Sequence, residues 1–313
     1  MKTPNRRIWS KLALAAFLAV SAASGVASAD GMLARRADLA PAERTALEAQ
    51  VAAARRANPK AFAAIRQLKG IRPEYYRQLR NPIPEAGREL RRMGPEGLLP
   101  MLEALVLDAP PTEGLAENER RALAEGLLSA VGYLRDARAS APVRAIFEKA
   151  TESWSLRVAG RSMGRLCDAP SFRRLEGSLG EPARRAAAVE GLGECRSLAS
   201  AEVLARALDA AATPDEATLV ANALGNLGSK WAWEALGPSR AAEGQKARER
   251  IATALVSSFA RHGLSVRDSH RGALGMVRFS DLAKLVAAQR PSLAAPVVRE
   301  LEDVVRTDAR RAR

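Results

Sequence analysis

The stretch "RRAAAVEGLGECRSLASAEVLARAL", from Arg184 to Leu208, decides the fold class. Before its serine-rich turn, small and apolar residues recur at helical spacing, and a second apolar stripe follows from Val203 onwards. This period predicts two short helices that join at the turn. Their inner faces are rich in alanine, so the helices can pack closely. The unit predicts a helical hairpin and contains one unusual residue, Cys195.

Related units recur along the chain. Each is marked by a small or apolar residue followed by glycine, at Met93-Gly94, Val131-Gly132, Met163-Gly164, Leu192-Gly193 and Leu227-Gly228. The glycines are 38, 32, 29 and 35 residues apart, and a sixth copy without the glycine is expected to end near Phe259-Ala260. An irregular but persistent period of this size is typical of a solenoid built from helix pairs.

Helix boundaries can be predicted from local signals. Pro182 is expected in the first turn of one helix, and "TPDE", from Thr213 to Glu216, reads as a capping box. Each small-residue/Gly pair falls where a first helix should end, so we expect these glycines to terminate helices. No segment shows the sustained alternation of strands, and aromatic residues are only 4% of the chain. The expected fold class is all-α.

The copies can be compared directly. They read "RRALAEGLLSAVGYLRD" from Arg120, "SLRVAGRSMGRLCD" from Ser155, "ARRAAAVEGLGECRS" from Ala183, "ATLVANALGNLGS" from Ala217 and "ARERIATALVSSFARHG" from Ala247. Over residues 82–290 this pattern resembles the HEAT-like repeats, although the copies lack the regular interior Asp and Arg of the best-formed units. The resemblance implies a right-handed α-solenoid of about five to six helix pairs, and solenoids commonly present an extended binding surface.

The first 29 residues have the features of a secretory signal peptide. A basic segment precedes the apolar run "LALAAFLAV", and small residues then lead to a predicted cleavage between Ala29 and Asp30. Nine apolar residues are too few to span a bilayer, which requires about 20. No later stretch is long and apolar enough to do so. The mature protein is therefore expected in the periplasm or outside the cell, without a transmembrane segment.

Two flanking regions complete the predicted organisation. Residues 30–81 are expected to form an Arg-rich helical cap, and residues 291–313 a C-terminal helix with a basic tail. Removal of the leader leaves 45 basic and 35 acidic residues, a net charge of +10. Residues 30–100 account for +6 of that charge. The middle of the chain is nearly neutral, so a broad basic face for nucleic acid is not expected.

Two patterns could indicate catalysis or metal binding, but neither has the flanking sequence or spacing that such a site requires. Gly160-Arg161-Ser162-Met163-Gly164 matches the nucleophile motif G-x-S-x-G, but that motif requires a strand-to-helix turn, and the flanking sequence is helical. Cys167, Cys195, His262 and His270 have gaps of 28, 67 and 8 residues, which match no usual zinc spacing. The histidines are expected to be exposed. No cofactor or metal is predicted, and the protein is not expected to be an enzyme.

Cys167 and Cys195 fall at the ends of first helices in consecutive copies. An exported protein with two cysteines is a reasonable candidate for a disulfide. Equivalent points in stacked helices lie about 10 Å apart, whereas bridged Cα atoms lie roughly 4.4–6.8 Å apart. Two buried, unbonded thiols are therefore the alternative.

Two aromatic groups are candidate partner-binding residues. Trp231 and Trp233 flank a turn, where they can either anchor a partner or fill a gap in the core. Tyr75 and Tyr76 lie among Arg72, Arg77 and Arg80, which together offer an aromatic and basic patch. A solvated cap helix is the alternative interpretation of that patch.

The sequence predicts an exported, non-catalytic scaffold that binds another protein through its helical surface. The alternative is binding of anionic envelope components, such as lipopolysaccharide or phospholipid headgroups, through the basic N-terminal segment. Some HEAT-like proteins are phycobilin lyases or alkylpurine DNA glycosylases. Both work in the cytoplasm, whereas this chain begins with a predicted export signal, so a nucleic-acid partner is not expected.

Overall fold

A computed structural model describes residues 30–68 and 85–311 of the chain. Within these ranges the regular secondary structure is helical, and no strand is present. The α-helices are α1 (Pro41–Ala57), α2 (Pro59–Arg66), α3 (Glu85–Arg92), α4 (Leu98–Val106), α5 (Glu117–Leu134), α6 (Ser140–Lys149), α7 (Ser153–Leu166), α8 (Ala169–Gly177), α9 (Pro182–Glu194), α10 (Leu198–Asp209), α11 (Pro214–Leu227), α12 (Lys230–Glu234), α13 (Ala241–His262), α14 (Arg267–Val277), α15 (Leu282–Gln289) and α16 (Ala295–Arg311). The all-α prediction is confirmed.

Helix starts follow the predicted signals. α9 begins at Pro182 and α11 at Pro214, where proline has no N–H to leave unpaired. The Thr213 side chain accepts a hydrogen bond from the Glu216 N–H at 3.3 Å. The Glu216 carboxylate accepts from the Ala212 N–H rather than from that of Thr213, so only half of the predicted capping box forms. In the hairpin that decides the fold, the Ser197 hydroxyl accepts from the Ser200 N–H at 3.1 Å and caps α10. Proline or a side-chain cap therefore marks the start of these three helices.

The helices are arranged in two rows. In the first row, α3, α5, α7, α9, α11, α14 and α16 contact one another in that order. The second row contains α4, α6, α8, α10, α13 and α15, and it packs against the first row. Leucine, valine and alanine fill the buried space between the rows, with large side chains such as Phe147 and Phe259 fully buried.

The last part of the array departs from its predicted register. The sequence from Ala247 was expected to form a first helix, but α13 packs beside α10 in the second row. The next first-row helix is α14, which packs against α11. It contains Leu274-Gly275, a further small-residue/Gly pair. The insertion of α12 between α11 and α13 displaces the period and explains the error.

Two of the five repeated glycines end helices as expected: Gly94 follows the end of α3 with a φ of 62°, and Gly228 caps the end of α11. The other three do not. Gly132, Gly164 and Gly193 lie inside α5, α7 and α9, and none has a positive φ. The helix ends are instead formed three residues after a glycine at Arg135 and Cys167, whose φ values are 52° and 50°. These left-handed residues terminate α5 and α7 by themselves.

Close helix packing is the role of the glycines at the contact between α7 and α9. A Cβ atom on Gly164 would collide with the carbonyl oxygen of Gly191. A Cβ on Gly191 would lie 2.5 Å from the carbonyl oxygen of Gly160. α7 and α9 therefore touch backbone to backbone, and an ordinary side chain at these positions would force them apart.

The N-terminal part of the described chain packs on α4. The N–H groups of Met32 and Leu33 donate to the carbonyl oxygens of Ala104 and Leu105, each at 3.0 Å. α1 and α2 also pack against α4. Residues 30–68 thus cover one end of the helical array.

Replacing Gly164 with alanine should destabilise the fold by about 1–3 kcal/mol, because the new methyl group overpacks the α7–α9 contact. Gly272→Ala is the matched control. It lies inside α14, and apart from its chain neighbours and the backbone of its own helix, no atom of the described chain lies within 4 Å of the added Cβ. That change should stabilise the protein by about 0.5–1 kcal/mol. Denaturant unfolding of both variants measures the difference, and stabilisation by both would contradict the packing role of Gly164.

Candidate functional site

A polar groove of about 690 Å³ crosses the first row. We call it the arginine groove. It is lined by Glu125, Ser129, Tyr133, Arg135, Arg157, Val158, Arg161, Arg165, Glu190, Glu194, Arg196, Leu219, Asn222, Ala223 and Asn226. These residues come from α5, α7, α9 and α11 or from the turns that end them. Five arginines face three glutamates, so the lining has a net charge of +2.

A ladder of ion pairs forms the floor of the groove. Arg157, Arg161 and Arg165 are spaced four residues apart on α7, which places them on one face of the helix. Arg157 and Arg161 both bond to the Glu190 carboxylate, the latter at 2.8 Å. Arg165 donates to Glu194 at 3.0 Å. Three arginines of α7 therefore share two carboxylates of α9.

Tyr133 extends this ladder towards α3. The Arg165 guanidinium lies 3.9 Å from the centre of the Tyr133 ring, and that of Arg91 lies 4.7 Å from it. Both distances are typical of cation–π contacts. The Arg165 side chain is only 7% exposed. Stacking and the bond to Glu194 together hold it in one position.

Arg196 is held at one end of the groove without a carboxylate partner among the described residues. It donates to the carbonyl oxygen of Gly193 at 2.6 Å and to the side-chain oxygen of Asn226 at 3.2 Å. Its Nε and that of Arg165 are buried and lack a hydrogen-bond acceptor in the described part of the chain. Arg135 lines the same groove and forms no ion pair within that part. Positive charge is therefore left unbalanced at this end.

The pKa shifts of two groove residues agree with this distribution of charge. Burial lowers the pKa of Arg196, and the nearby charges of Arg135 and Arg165 lower it further against the opposing effect of Glu194. At the other end of the groove, burial raises the pKa of Glu125, although Arg121 and Arg161 oppose that rise. A buried guanidinium beside two other cations is a place where an added anion is stabilised.

Cys167 and Cys195 lie at disulfide-bonding distance, with their Cα atoms 5.2 Å apart. This separation is well below the spacing of about 10 Å expected for ordinary stacked helices. The close packing of α7 and α9 brings the two Cα atoms within the separation that a disulfide requires. The cysteine pair also adjoins the arginine groove, because Arg165 precedes Cys167 by two residues and Arg196 follows Cys195 directly.

Ser162 and His270, which the sequence offered as candidates for catalysis or metal binding, are both buried in the packed helices. Ser162 is fully buried within α7, and its hydroxyl donates to the carbonyl oxygen of Leu128 at 3.0 Å, so it does not sit on a strand-to-helix turn. His270 is also fully buried, contrary to the expected exposure. Its ring nitrogens lie 3.0 Å from the Ser258 hydroxyl and 3.1 Å from the Ser269 hydroxyl.

The two tryptophans separate into different roles. Trp233 is 4% exposed and donates from its indole nitrogen to the carbonyl oxygen of Leu227 at 2.8 Å. It fills the core, so the prediction of a partner-binding role for Trp233 is corrected. Trp231 is 53% exposed, with the Arg278 guanidinium 4.4 Å from its ring centre.

The remaining candidates fall outside the described residues. Arg72, Tyr75, Tyr76, Arg77 and Arg80 lie between the two described ranges, and Ala29 precedes the first of them. Their roles stay predictions. The arginine groove shares no residue with the partner-binding set predicted from the sequence.

Comparison with known proteins assigns no family. No protein-family model matches the chain, and no curated protein matches it either. In the described ranges, none of the helices is long and apolar enough to cross a membrane.

Replacing both Cys167 and Cys195 with serine should reduce the free energy of unfolding by about 3–4 kcal/mol, the loop-entropy value for their separation. A reductant should lower the stability of the original protein by a similar amount and leave the double variant unchanged. Guanidinium unfolding with and without reductant tests both expectations. Two reactive thiols per chain in the unreduced, denatured protein would contradict the bond.

His270 should make the fold sensitive to mild acid. Burial lowers its pKa from 6.5 to about 4, so the unfolded chain binds a proton more readily between those values. Stability should therefore fall by about 2 kcal/mol as the pH drops from about 7 to about 5. His270→Asn should remove most of this dependence, whereas His262→Asn should retain it. Urea unfolding at the two pH values measures this change in stability. An unchanged pH dependence in His270→Asn would refute the role of His270.

Proposed function

We propose that this protein is an exported, non-catalytic scaffold that binds another protein in the arginine groove. In this proposal its helix pairs are HEAT-like units of a right-handed α-solenoid, and export follows cleavage between Ala29 and Asp30. The periodic glycines, the signal-like leader and the two helix rows support these parts of the proposal.

The groove is the observation that carries the proposed function. It runs over four consecutive first-row helices, which is the extended surface expected of a helical-repeat binder. Its floor is made rigid by ion pairs and aromatic stacking, so little side-chain entropy is lost on binding. Arginine and tyrosine are also the residue types that most often dominate the energy of protein interfaces.

The described cap gives less support to an anionic envelope partner. Four of its arginines already have carboxylate partners, in the pairs Arg35–Asp38, Arg36–Glu48, Arg55–Glu103 and Arg66–Asp108. Paired arginines attract an external anion less than unpaired ones. In the groove, Arg135 and Arg196 have no carboxylate partner among the described residues, which favours the groove as the binding surface.

A photo-crosslinking amino acid at Asn222 should capture a protein partner in intact cell envelopes, because Asn222 is exposed in the groove. Glu202 is the control position, since it is exposed on α10 and does not line the groove. Mass spectrometry should find a defined protein adduct at Asn222 that is missing at Glu202. Equal adducts at both positions, or none at either, would contradict the proposal.

Vesicles of anionic phospholipid test the envelope alternative. The full-length protein should bind such vesicles weakly, and the combined change of Arg72, Arg77 and Arg80 to glutamine should leave protein crosslinking at Asn222 intact. Strong, salt-sensitive vesicle binding that this triple variant abolishes would favour the alternative instead.

A further inference from the structure

We propose that Arg135, Arg165 and Arg196 form a binding site for a carboxylate, supplied by an acidic side chain of the partner protein. The site lies at the end of the arginine groove next to Cys167 and Cys195. The inference rests on the proposed function, because it assigns the chemistry of the partner that the groove binds.

The internal pairing of the groove points to a carboxylate. Where the chain supplies its own anions, they are glutamates that span from α9 to arginines of α7. The ladder ends at Glu194, and the cations beyond it, Arg196 and Arg135, have no carboxylate among the described residues. An acidic side chain placed there would continue the same ladder by one step.

Half-buried arginines elsewhere in the described chain show what is missing. Arg174, on α8 outside the groove, bonds to the carboxylates of both Glu148 and Glu181. Arg184 also binds Glu181, at 3.1 Å. At the groove end the proportion is reversed, because Arg135, Arg165 and Arg196 line it together with only one nearby carboxylate among the described residues, that of Glu194, which Arg165 already binds. A half-buried guanidinium with only neutral acceptors is energetically unfavourable until an anion joins it.

The site is held ready for its ligand. The Gly193 carbonyl and the Asn226 side chain orient Arg196, and the Asn226 amide also donates to the Gly193 carbonyl at 3.2 Å. Tyr133 and Glu194 fix Arg165 from two sides. The cysteine pair ties the ends of α7 and α9 together beside both arginines. Preorganised arginines of this kind pair bidentately with carboxylates and phosphates, and the glutamates that the chain itself uses in the neighbouring pairs favour the carboxylate.

A pair of fluorescent decapeptides tests the ligand chemistry on the full-length protein. One contains alternating glutamate and glycine, and the other replaces each glutamate with glutamine. The glutamate peptide should bind at least tenfold more tightly, and its affinity should fall as salt increases. Inorganic phosphate is added as a competitor. Tight phosphate binding without glutamate-peptide binding would overturn the assignment to a carboxylate.

Arginine variants test where the glutamate peptide binds. Arg196→Gln and Arg135→Gln should each weaken the glutamate peptide by about 10- to 100-fold, the loss expected for one charged hydrogen bond. Arg206→Gln removes the same charge from α10, outside the groove, and should leave the affinity unchanged. Thermal unfolding of each variant must match the original protein. Equal losses in all three variants would refute the site.

The two proposals can fail separately. Crosslinking of a protein at Asn222 without binding of the glutamate peptide would reject the carboxylate site and leave the scaffold function standing. Binding of the peptide, lost in Arg196→Gln, without a protein crosslink at Asn222 would keep the site and reject the scaffold function. Failure of both measurements would reject both.

Discussion

The backbone contact between α7 and α9 is the constraint on which the rest of the structure depends. Gly160, Gly164 and Gly191 allow it, because a side chain at any of the three would meet a carbonyl group of the facing helix or its neighbour. The approach brings the arginines of α7 within hydrogen-bonding reach of Glu190 and Glu194. It also brings the two cysteines to a Cα separation of 5.2 Å. One packing contact thus forms the ladder and places the two cysteines at disulfide-bonding distance.

Positions counted from the repeated glycine become ladders across the helices. One residue after the glycine, the chain has Tyr133, Arg165 and Glu194, which contact one another in that order. Three residues after it come Arg135, Cys167 and Arg196, which line or adjoin the groove. The spacing repeats, but the residue types change from copy to copy. The repeated spacing therefore sets the architecture, and the residues that differ between copies supply the binding chemistry.

This distinction explains how much the sequence could predict. The helical class and the starts at Pro182 and Pro214 follow from local signals, and the structure confirms them. Gly132, Gly164 and Gly193 were misread as terminators, because a sequence alone does not show the helix across from them. The groove had a readable signal: with Gly164 aligned to Gly193, Arg165 falls on Glu194, an opposite charge at the same repeat position. The burial of His270 had no such signal, since it depends on the displaced register that α12 causes.

The cysteine pair links the proposed compartment to the proposed binding site. Bonded cysteines persist in oxidising surroundings such as the periplasm and are rare in the cytoplasm. Here they adjoin Arg165 and Arg196, so the bond would fix the spacing of two cations as well as stabilise the fold. A site whose ligands must be held at a fixed separation loses affinity when its supports loosen. In this arrangement, export would complete the binding site: the groove would reach its final geometry only after the chain enters a compartment where the sulfur atoms can join.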